Sequence, residues 1–303
     1  MQDLQPALSC PLCGSSATRL AFVHQAYPIR DCRGCGHRFA GFTPKASHVE
    51  EVYGDDYFHG GGAGYPDYTA EAELLTAAGE RYGKLLNRYT DLAPLSPGGR
   101  GVGGEGDRRK LLDIGAAAGF LLQGYARAGW HGIGIEPNRS MAEYAKRELG
   151  RTVHAGTLES VPLPQPFDAV SWVQVLAHLP APMESFRIAD SLTRPGGLWL
   201  IETWNAASRT ARLLGQAWHE YSPPSVLHWW TPAVLKRTLS QFGYKLRGTG
   251  FAQKWIGFGH ARSLVEHKYG HGLPTKIAKL FPESWKAPYP SEDLFWAVYG
   301  KAG

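Results

Sequence analysis

Two groups of residues in this 303-residue chain have types and spacings suited to chemistry. The first is the complete set of four cysteines, arranged as Cys10-Pro-Leu-Cys13 and Cys32-Arg-Gly-Cys35 with eighteen residues between the pairs. A glycine, Gly14 or Gly36, follows each pair, so each reads as a short knuckle. Two such knuckles can present four thiolates tetrahedrally to one Zn2+. With four protein ligands the site is closed, so the metal is expected to be structural and not catalytic. Two disulfides or four unrelated buried thiols are the alternatives, and disulfides are rare in a cytosolic protein. About forty residues bury too little apolar surface to fold unaided, and zinc binding, on the order of 10 kcal/mol or more, supplies much of the difference.

The second group begins at residues 111–119, Leu-Leu-Asp-Ile-Gly-Ala-Ala-Ala-Gly, with an acid, Glu136, 23 positions beyond Asp113. The pattern describes a buried strand, a tight glycine turn opening a helix, and a second strand ending in a ribose-binding acid. That is a nucleoside-cofactor site on an α/β sheet. Dinucleotide sites need three glycines, because the backbone approaches a pyrophosphate closely. Here only Gly115 and Gly119 remain, Ala117 holds the middle position, and no lysine follows to make a P-loop. A methyl group at the middle position suits a ligand without phosphates. S-adenosylmethionine (SAM) is such a ligand.

The elements that must position these residues follow from periodicity. Residues 1–42 read as a zinc ribbon with short strands at 18–23 and 37–40. Residues 43–108 read as a linker, with a Tyr-rich stretch (Tyr53, Tyr57, Phe58, Tyr65, Tyr68), a flexible tip at 60–64, a helix within 69–92 and a Gly-rich loop at 96–106. From 109 to 303 strands alternate with helices. Strands are expected at 110–114, 131–135, 152–154, 167–173, 198–203, 244–249 and 294–299, and helices near 118–128, 138–149, 182–193 and 231–242. This order predicts a Rossmann-like α/β fold, a seven-stranded, mostly parallel sheet with helices on both faces. Residues 244–303 carry the closing strands and a substrate-covering insertion, with helical pieces near 260–268 and 274–281.

Apolar content of 43% and charged content of 19% describe an ordinary globular chain. There is no run of eighteen apolar residues and no basic, apolar leader, so no membrane span is expected and the cytoplasm is the default compartment. The net charge of +5 is uneven: −3 over residues 1–108, +3 over 109–243 and +5 over 244–303. The C-terminal lysines are scattered singly, which fits a solvated face better than a nucleic-acid grip.

With these motifs in view, residues 109–303 resemble the class I SAM-dependent methyltransferases. The resemblance rests on Leu-Leu-Asp113-Ile-Gly115-Ala-Ala-Ala-Gly119-Phe-Leu-Leu, Gly134-Ile-Glu136-Pro, Phe167-Asp168-Ala-Val and Arg194-Pro-Gly-Gly-Leu-Trp-Leu-Ile-Glu202-Thr. Gln174-Val-Leu-Ala-His178-Leu resembles the branch of the ubiquinone-biosynthesis O-methyltransferases, and the ribbon resembles a two-knuckle zinc module that precedes such a core in a bacterial branch. Gly115, Ala116, Ala117, Gly119 and Phe120 then form the cofactor turn, whose helix offers free N–H groups to the methionine carboxylate. Asp113 is expected to take the methionine ammonium, directly or through water, and Glu136, followed by Pro137, both ribose hydroxyls. The resemblance places Thr157 and Leu158 at the adenine, and Gln174, just after the fourth strand, is expected by position to face the cleft mouth.

The expected reaction is methyl transfer to a small-molecule acceptor, a sugar or other biosynthetic intermediate, through a hydroxyl. His178 is the candidate general base, since imidazole titrates near ~6.5, against the alternative that it packs or caps a helix. Trp204, Asn205, Tyr221, His228 and Trp229 are the candidate acceptor-binding residues, against a core role for several of the aromatics. A nucleic-acid methyltransferase is disfavoured by the acidic N-terminal region, and a non-catalytic SAM-binding scaffold remains an alternative. A homodimer is left open.

Overall fold

The computed structural model describes residues 9–59, 67–90, 109–163, 166–252, 255–259, 285–288 and 292–302, and single positions at 262, 266, 272, 276, 280 and 282. Tyr65, the tip at 60–64, the loop at 96–106 and most of the helical pieces expected at 260–268 and 274–281 lie outside the described residues.

In the N-terminal part, strands β1 (Thr18–His24), β2 (Tyr27–Cys32) and β3 (Arg38–Ala40) form an antiparallel ribbon. Two short helices follow, α1 (His48–Val52) and α2 (Asp55–His59), and then a long one, α3 (Ala72–Asn87). The alternating part runs β4 (Arg109–Ile114), α4 (Phe120–Arg127), β5 (Trp130–Glu136), α5 (Arg139–Leu149), β6 (Val153–Ala155), β7 (Phe167–Val173), α6 (Pro182–Leu192) and β8 (Thr193–Trp204). It closes with α7 (Arg209–Leu214), β9 (His228–Trp229), α8 (Pro232–Ser240) and β10 (Tyr244–Phe251). A small antiparallel pair, β11 (Trp255–Gly257) and β12 (Lys286–Pro288), precedes β13 (Leu294–Lys301).

The main sheet has the order β10-β13-β8-β7-β4-β5-β6. Five neighbouring strands are parallel, and β13 runs antiparallel to both β8 and β10. Alternate side chains along each strand point to opposite faces. Leu111, Ala169, Leu200 and Val298 meet α3 and α4 through Tyr82, Leu86, Leu122 and Tyr125. Leu112, Val170, Trp172, Trp199 and Ile201 meet α6 and α8 through Phe186, Leu192, Leu235 and Leu239. Fully buried indoles such as Trp172 and Trp199 each remove on the order of 200 Å² from water, worth roughly 5 kcal/mol. The Pro195-Gly196-Gly197 turn lies inside β8, where pairing with β7 jumps from Thr193 to Leu198.

Two sequence boundaries dissolve in this packing. The helix assigned to the linker, α3, belongs to the sandwich. It crosses α4 where a Cβ on Gly79 would lie 2.3 Å from the Leu121 carbonyl oxygen and one on Gly124 would lie 2.1 Å from that of Thr76. Nor is the ribbon separate. Strand β9 joins it as a fourth strand, pairing Arg38 with Trp229 and Phe39 with His228. Cys10, Leu12, Cys32 and Phe39 lie in the same buried cluster as Trp230 and Leu235. Arg38 grips Asp31 through two nitrogens, at 2.7 and 3.1 Å, and donates to the Tyr221 hydroxyl at 2.5 Å.

His228 sits at this junction. Its Nε2 lies 2.9 Å from the Leu179 carbonyl oxygen, an acceptor only, so Nε2 carries the proton. Its Nδ1 therefore accepts from His37 Nε2, 3.0 Å away. Burial pushes the His228 pKa down to about 4, with the Leu179 carbonyl opposing the shift and nearby His178 adding to it. A histidine neutral in the fold and near 6.5 when unfolded gives stability that is complete above pH 6.5. That stability is lost as pH falls towards 4, a span on the order of 3 kcal/mol. His228→Gln is therefore expected to unfold more readily at pH 7.5 but to show a shallower loss between pH 6.5 and 4. Urea unfolding midpoints across that range test this, and parallel wild-type and variant curves would contradict it.

Candidate active site

The chain leaves β4 toward β5 and β6 on one side and returns at β7 on the other. Ligands of open α/β sheets bind beyond the carboxyl ends of the strands at such a switch point. A cavity of about 400 Å³ lies there. Its floor is Ile114, Gly115, Ala117, Ile135, Glu136 and Pro137, and one wall is Gly156, Thr157, Leu158 and Glu159. The opposite wall is Val173, Gln174, Val175, His178 and Leu179.

Both loops at the switch point hold non-glycine residues at positive φ, Ala117 at 45° and Gln174 at 60°. Such conformations cost on the order of 1–3 kcal/mol each and are kept where surroundings over-determine them. Ala117 is held because its N–H donates to Glu136 Oε2 at 2.9 Å. Gln174 is held by its N–H to the Glu202 carbonyl and its Nε2 to Glu202 Oε1, both at 2.9 Å. The Tyr82 hydroxyl donates to the other oxygen of Glu202.

Glu136 is buried at the end of β5. Besides Ala117, the Asn138 N–H donates to it at 2.9 Å. Burial nevertheless raises its pKa to about 7 against these two N–H donors. Asp113 is also fully buried, and neither of its oxygens makes a hydrogen bond of good geometry. Burial lifts its pKa to about 7, the Ser171 hydroxyl beside it opposes the shift, and Glu136 adds to it. Such uncompensated buried carboxylates are expensive alone and mark where a polar ligand completes the structure.

His178 Nδ1 lies 2.8 Å from the Ser225 carbonyl oxygen and 2.8 Å from the Tyr53 hydroxyl, which is itself 2.7 Å from the same carbonyl. A carbonyl can only accept, so Nδ1 carries the proton and Nε2 keeps its lone pair. Burial lowers the pKa, the Ser225 carbonyl opposes this, and His48 adds to it, so the ring is neutral at neutral pH.

The remaining wall is what the sequence reading missed. Ala46, Val49, Tyr53, Tyr57, Phe58 and Tyr68, from the stretch assigned to the linker, line the cavity. Their rings form a ladder of edge contacts, Tyr53–Tyr57, Tyr57–Phe58 and Phe58–Tyr68, at 5.2, 5.2 and 5.4 Å. The tyrosine density was the available signal.

Of the residues expected at the cofactor, Gly115, Ala117, Glu136, Pro137, Thr157, Leu158 and Gln174 line the cavity; Asp113, Ala116, Gly119 and Phe120 support it from behind. The expected acceptor residues Trp204, Asn205, Tyr221, His228 and Trp229 do not line it. Trp229 and Tyr221 are buried under the ribbon with Trp204 packed against them, because large aromatic surface is more stable there than in a cleft. Both ring nitrogens of His228 are committed, and Asn205 Oδ1 accepts from the Ala207 N–H at 3.0 Å.

The four cysteine sulfurs lie within 4.8 Å of one another, with Cys10–Cys35 and Cys13–Cys32 at 3.5 Å, and all four are free thiols. Tetrahedral Zn–S bonds of 2.3 Å put sulfurs about 3.8 Å apart, so the donor set fits Zn2+. Gly14 and Gly36 close the two knuckles at φ 69° and 73°, with matched bonds to the Cys10 and Cys32 carbonyls at 2.9 and 2.8 Å.

The sequence profile of the methyltransferase domain matches residues 77–248, more than half of the chain. The chain belongs to this methyltransferase-domain family. The matched span starts within α3, in keeping with that helix's place in the sandwich. The ubiquinone biosynthesis O-methyltransferase of Haemophilus ducreyi is 27% identical over 154 residues, covering 42% of this chain and 65% of that protein. The enzyme of the same name from Methylococcus capsulatus is 32% identical over 120 residues, 37% of this chain and 50% of that one. The chain thus spans less than two thirds of the length of these relatives. A solved SAM-dependent methyltransferase from Archaeoglobus fulgidus aligns at 17% identity and a TM-score of 0.48, over 76% of this chain and 94% of that one.

In this methyltransferase-domain protein the turn itself is testable. A Cβ on Gly115, at φ 71°, would lie 2.5 Å from Val175 Cγ2, whereas one on Gly150, at φ 60°, meets nothing within 4 Å. Gly115→Ala is expected to cost about 1–2 kcal/mol more stability than Gly150→Ala, from overpacking alone. Denaturant unfolding of the two variants checks this, and equal losses would contradict it.

Proposed function

We propose that the chain is a SAM-dependent methyltransferase acting on a hydroxyl of a neutral small molecule, a sugar or another biosynthetic intermediate. One Zn2+ held by Cys10, Cys13, Cys32 and Cys35 serves as a structural tie. The observation that carries the reading is a neutral His178 whose Nε2 makes no hydrogen bond among the described residues, on the wall of the cavity that also holds the Gly115 turn and Glu136.

Bound SAM would supply an already activated methyl group on a sulfonium. The protein's task is then alignment, exclusion of water and removal of one proton. Glu136 accepts the two ribose hydroxyls, Thr157 and Leu158 wall the adenine, and the amino end of α4 takes the carboxylate. Asp113, set behind the turn, reaches the ammonium through water. His178 Nε2 takes the acceptor's hydroxyl proton. Among the described lining residues there is no Lys or Arg, and the strap wall is aromatic. Both favour a neutral acceptor over a phosphate-bearing one, and the same lack of cations speaks against nucleic acid.

The donor half is tested by calorimetry with S-adenosylhomocysteine (SAH). Glu136 must be ionised to accept two hydroxyls, and its pKa in the free protein is about 7. Binding below pH 7 therefore releases a proton, and Kd is expected to rise at least about tenfold for each unit that pH falls. Glu136→Gln is expected to bind SAH about 10- to 100-fold more weakly at pH 7.5, as for loss of a charged acceptor, with a shallower pH dependence, Asp113 still titrating. Unchanged affinity in the variant would sink the assignment. For the acceptor half, His178→Gln is expected to bind SAH normally yet transfer no labelled methyl across a panel of hydroxyl acceptors used by the wild type.

The metal reading predicts one Zn2+ per chain by elemental analysis. Because the cysteines share the main core, chelation is expected to lower the melting temperature of the whole chain. A metal-free protein with the same melting temperature would contradict it.

A further inference from the structure

Tyr53 connects two walls of the cavity. It caps α1, its N–H bonded to the Val49 carbonyl at 2.9 Å. Its own carbonyl accepts from Asn138 Nδ2 at 3.1 Å, and the Asn138 N–H donates to Glu136 Oε1. The backbone of Tyr53 is thereby tied to the loop that carries the expected ribose acid. Its hydroxyl is tied to the opposite loop, at His178 and Ser225.

The hydroxyl has one proton, and three atoms lie mutually within 2.7 to 2.8 Å: Tyr53 Oη, His178 Nδ1 and the Ser225 carbonyl oxygen. If Tyr53 donated to Nδ1, two bare acceptors, Nδ1 and the carbonyl, would face each other at 2.8 Å with no proton between them. The arrangement that satisfies all three has Tyr53 donating to the carbonyl, while Nδ1–H is shared between the carbonyl and the tyrosine oxygen. Burial holds the phenol pKa well above its usual value, so the hydroxyl keeps this proton. The ring of Tyr53 also meets that of His178 edge to face, centroids 5.6 Å apart. Among the described residues, the other ionisable groups beside the imidazole are His48 on α1 and His228 on β9.

We propose that Tyr53 is a positioning residue, locking His178 in the tautomer and orientation that turn the Nε2 lone pair toward the acceptor. This deepens the function proposed above and rests on His178 as the base. It assigns the strap residues Ala46, Val49, Tyr53, Tyr57, Phe58 and Tyr68 a second job besides lining the cleft. The strap completes the base, so a chain without it would keep the cofactor turn and lose control of the proton.

The test needs no acceptor. Two-bond proton–nitrogen spectra of histidine-labelled protein saturated with SAH report the tautomer of each ring, and His178→Gln assigns the signal. The wild type is expected to show His178 as the Nδ1–H form near pH 7.5. Tyr53→Phe, which keeps the ring, is expected to cut the tautomer preference by up to about tenfold, the loss of one hydrogen bond. A purely structural role would change SAH affinity or unfolding and leave the tautomer alone. An unaltered tautomer in Tyr53→Phe overturns the proposal and leaves the base reading standing. An Nε2–H tautomer in the wild type overturns both. Should the variant not fold, the wild type still decides. A slowly exchanging Tyr53 hydroxyl proton with a nuclear Overhauser contact to His178 Nδ1–H is expected, and absence of that contact overturns the proposal.

Discussion

At the join of β4 and β7 the chain departs in opposite directions, so no connection covers the carboxyl ends of these two strands. Everything at the site answers to that opening. The loop after β4 folds back under it, with Gly115 and Ala117 at positive φ and the Ala117 N–H on Glu136. The loop after β7 folds over it, with Gln174 at positive φ and braced by Glu202. Sheet burial fixes both strands, and the strain in the loops is sustained by that rigidity. Asp113 and Glu136 are left buried with more negative charge than the protein itself compensates.

Ala46, Val49, Tyr53, Tyr57, Phe58 and Tyr68 line the opening as an aromatic strap, and the ribbon anchors the chain that precedes it. Its anchoring is unusual in kind: a two-residue strand, β9, extends the ribbon sheet, and Cys10 and Cys32 share a core with Trp230. The His37–His228 bond and the Arg38–Tyr221 bond fasten the same seam. Cysteine cluster, ribbon, strap and His178 thus form one mechanical path, because Ser225 and His228 belong to the segment that the ribbon holds.

The sheet was legible in the sequence because its signals are local. The strand expected at 167–173 is Phe167–Val173, that at 110–114 is Arg109–Ile114, and the helix expected at 138–149 is Arg139–Leu149. The glycine positions carried the turn for the same reason. What failed depended on distance along the chain. Strand β9 pairs with residues about 190 positions away and is too short to show a period. Of the strap aromatics, Tyr57 and Phe58 lie in a helix of five residues, Tyr53 between two such helices and Tyr68 in a separate turn, so they follow no single repeat. Tyr221, His228 and Trp229 suit an acceptor wall and a core equally by composition, which cannot tell a stacking surface from a core. Tyr221, Trp229 and His228 went to the ribbon seam, and Tyr53, Tyr57 and Phe58 took the cleft.

The most direct measurement is a crystal structure of the protein grown with SAH. The ribose hydroxyls are predicted on the Glu136 carboxylate, the homocysteine carboxylate at the amino end of α4, and the sulfur on the side of the cavity facing His178. SAH bound elsewhere, or in this cavity with its ribose away from Glu136, would contradict the assignment of the cleft.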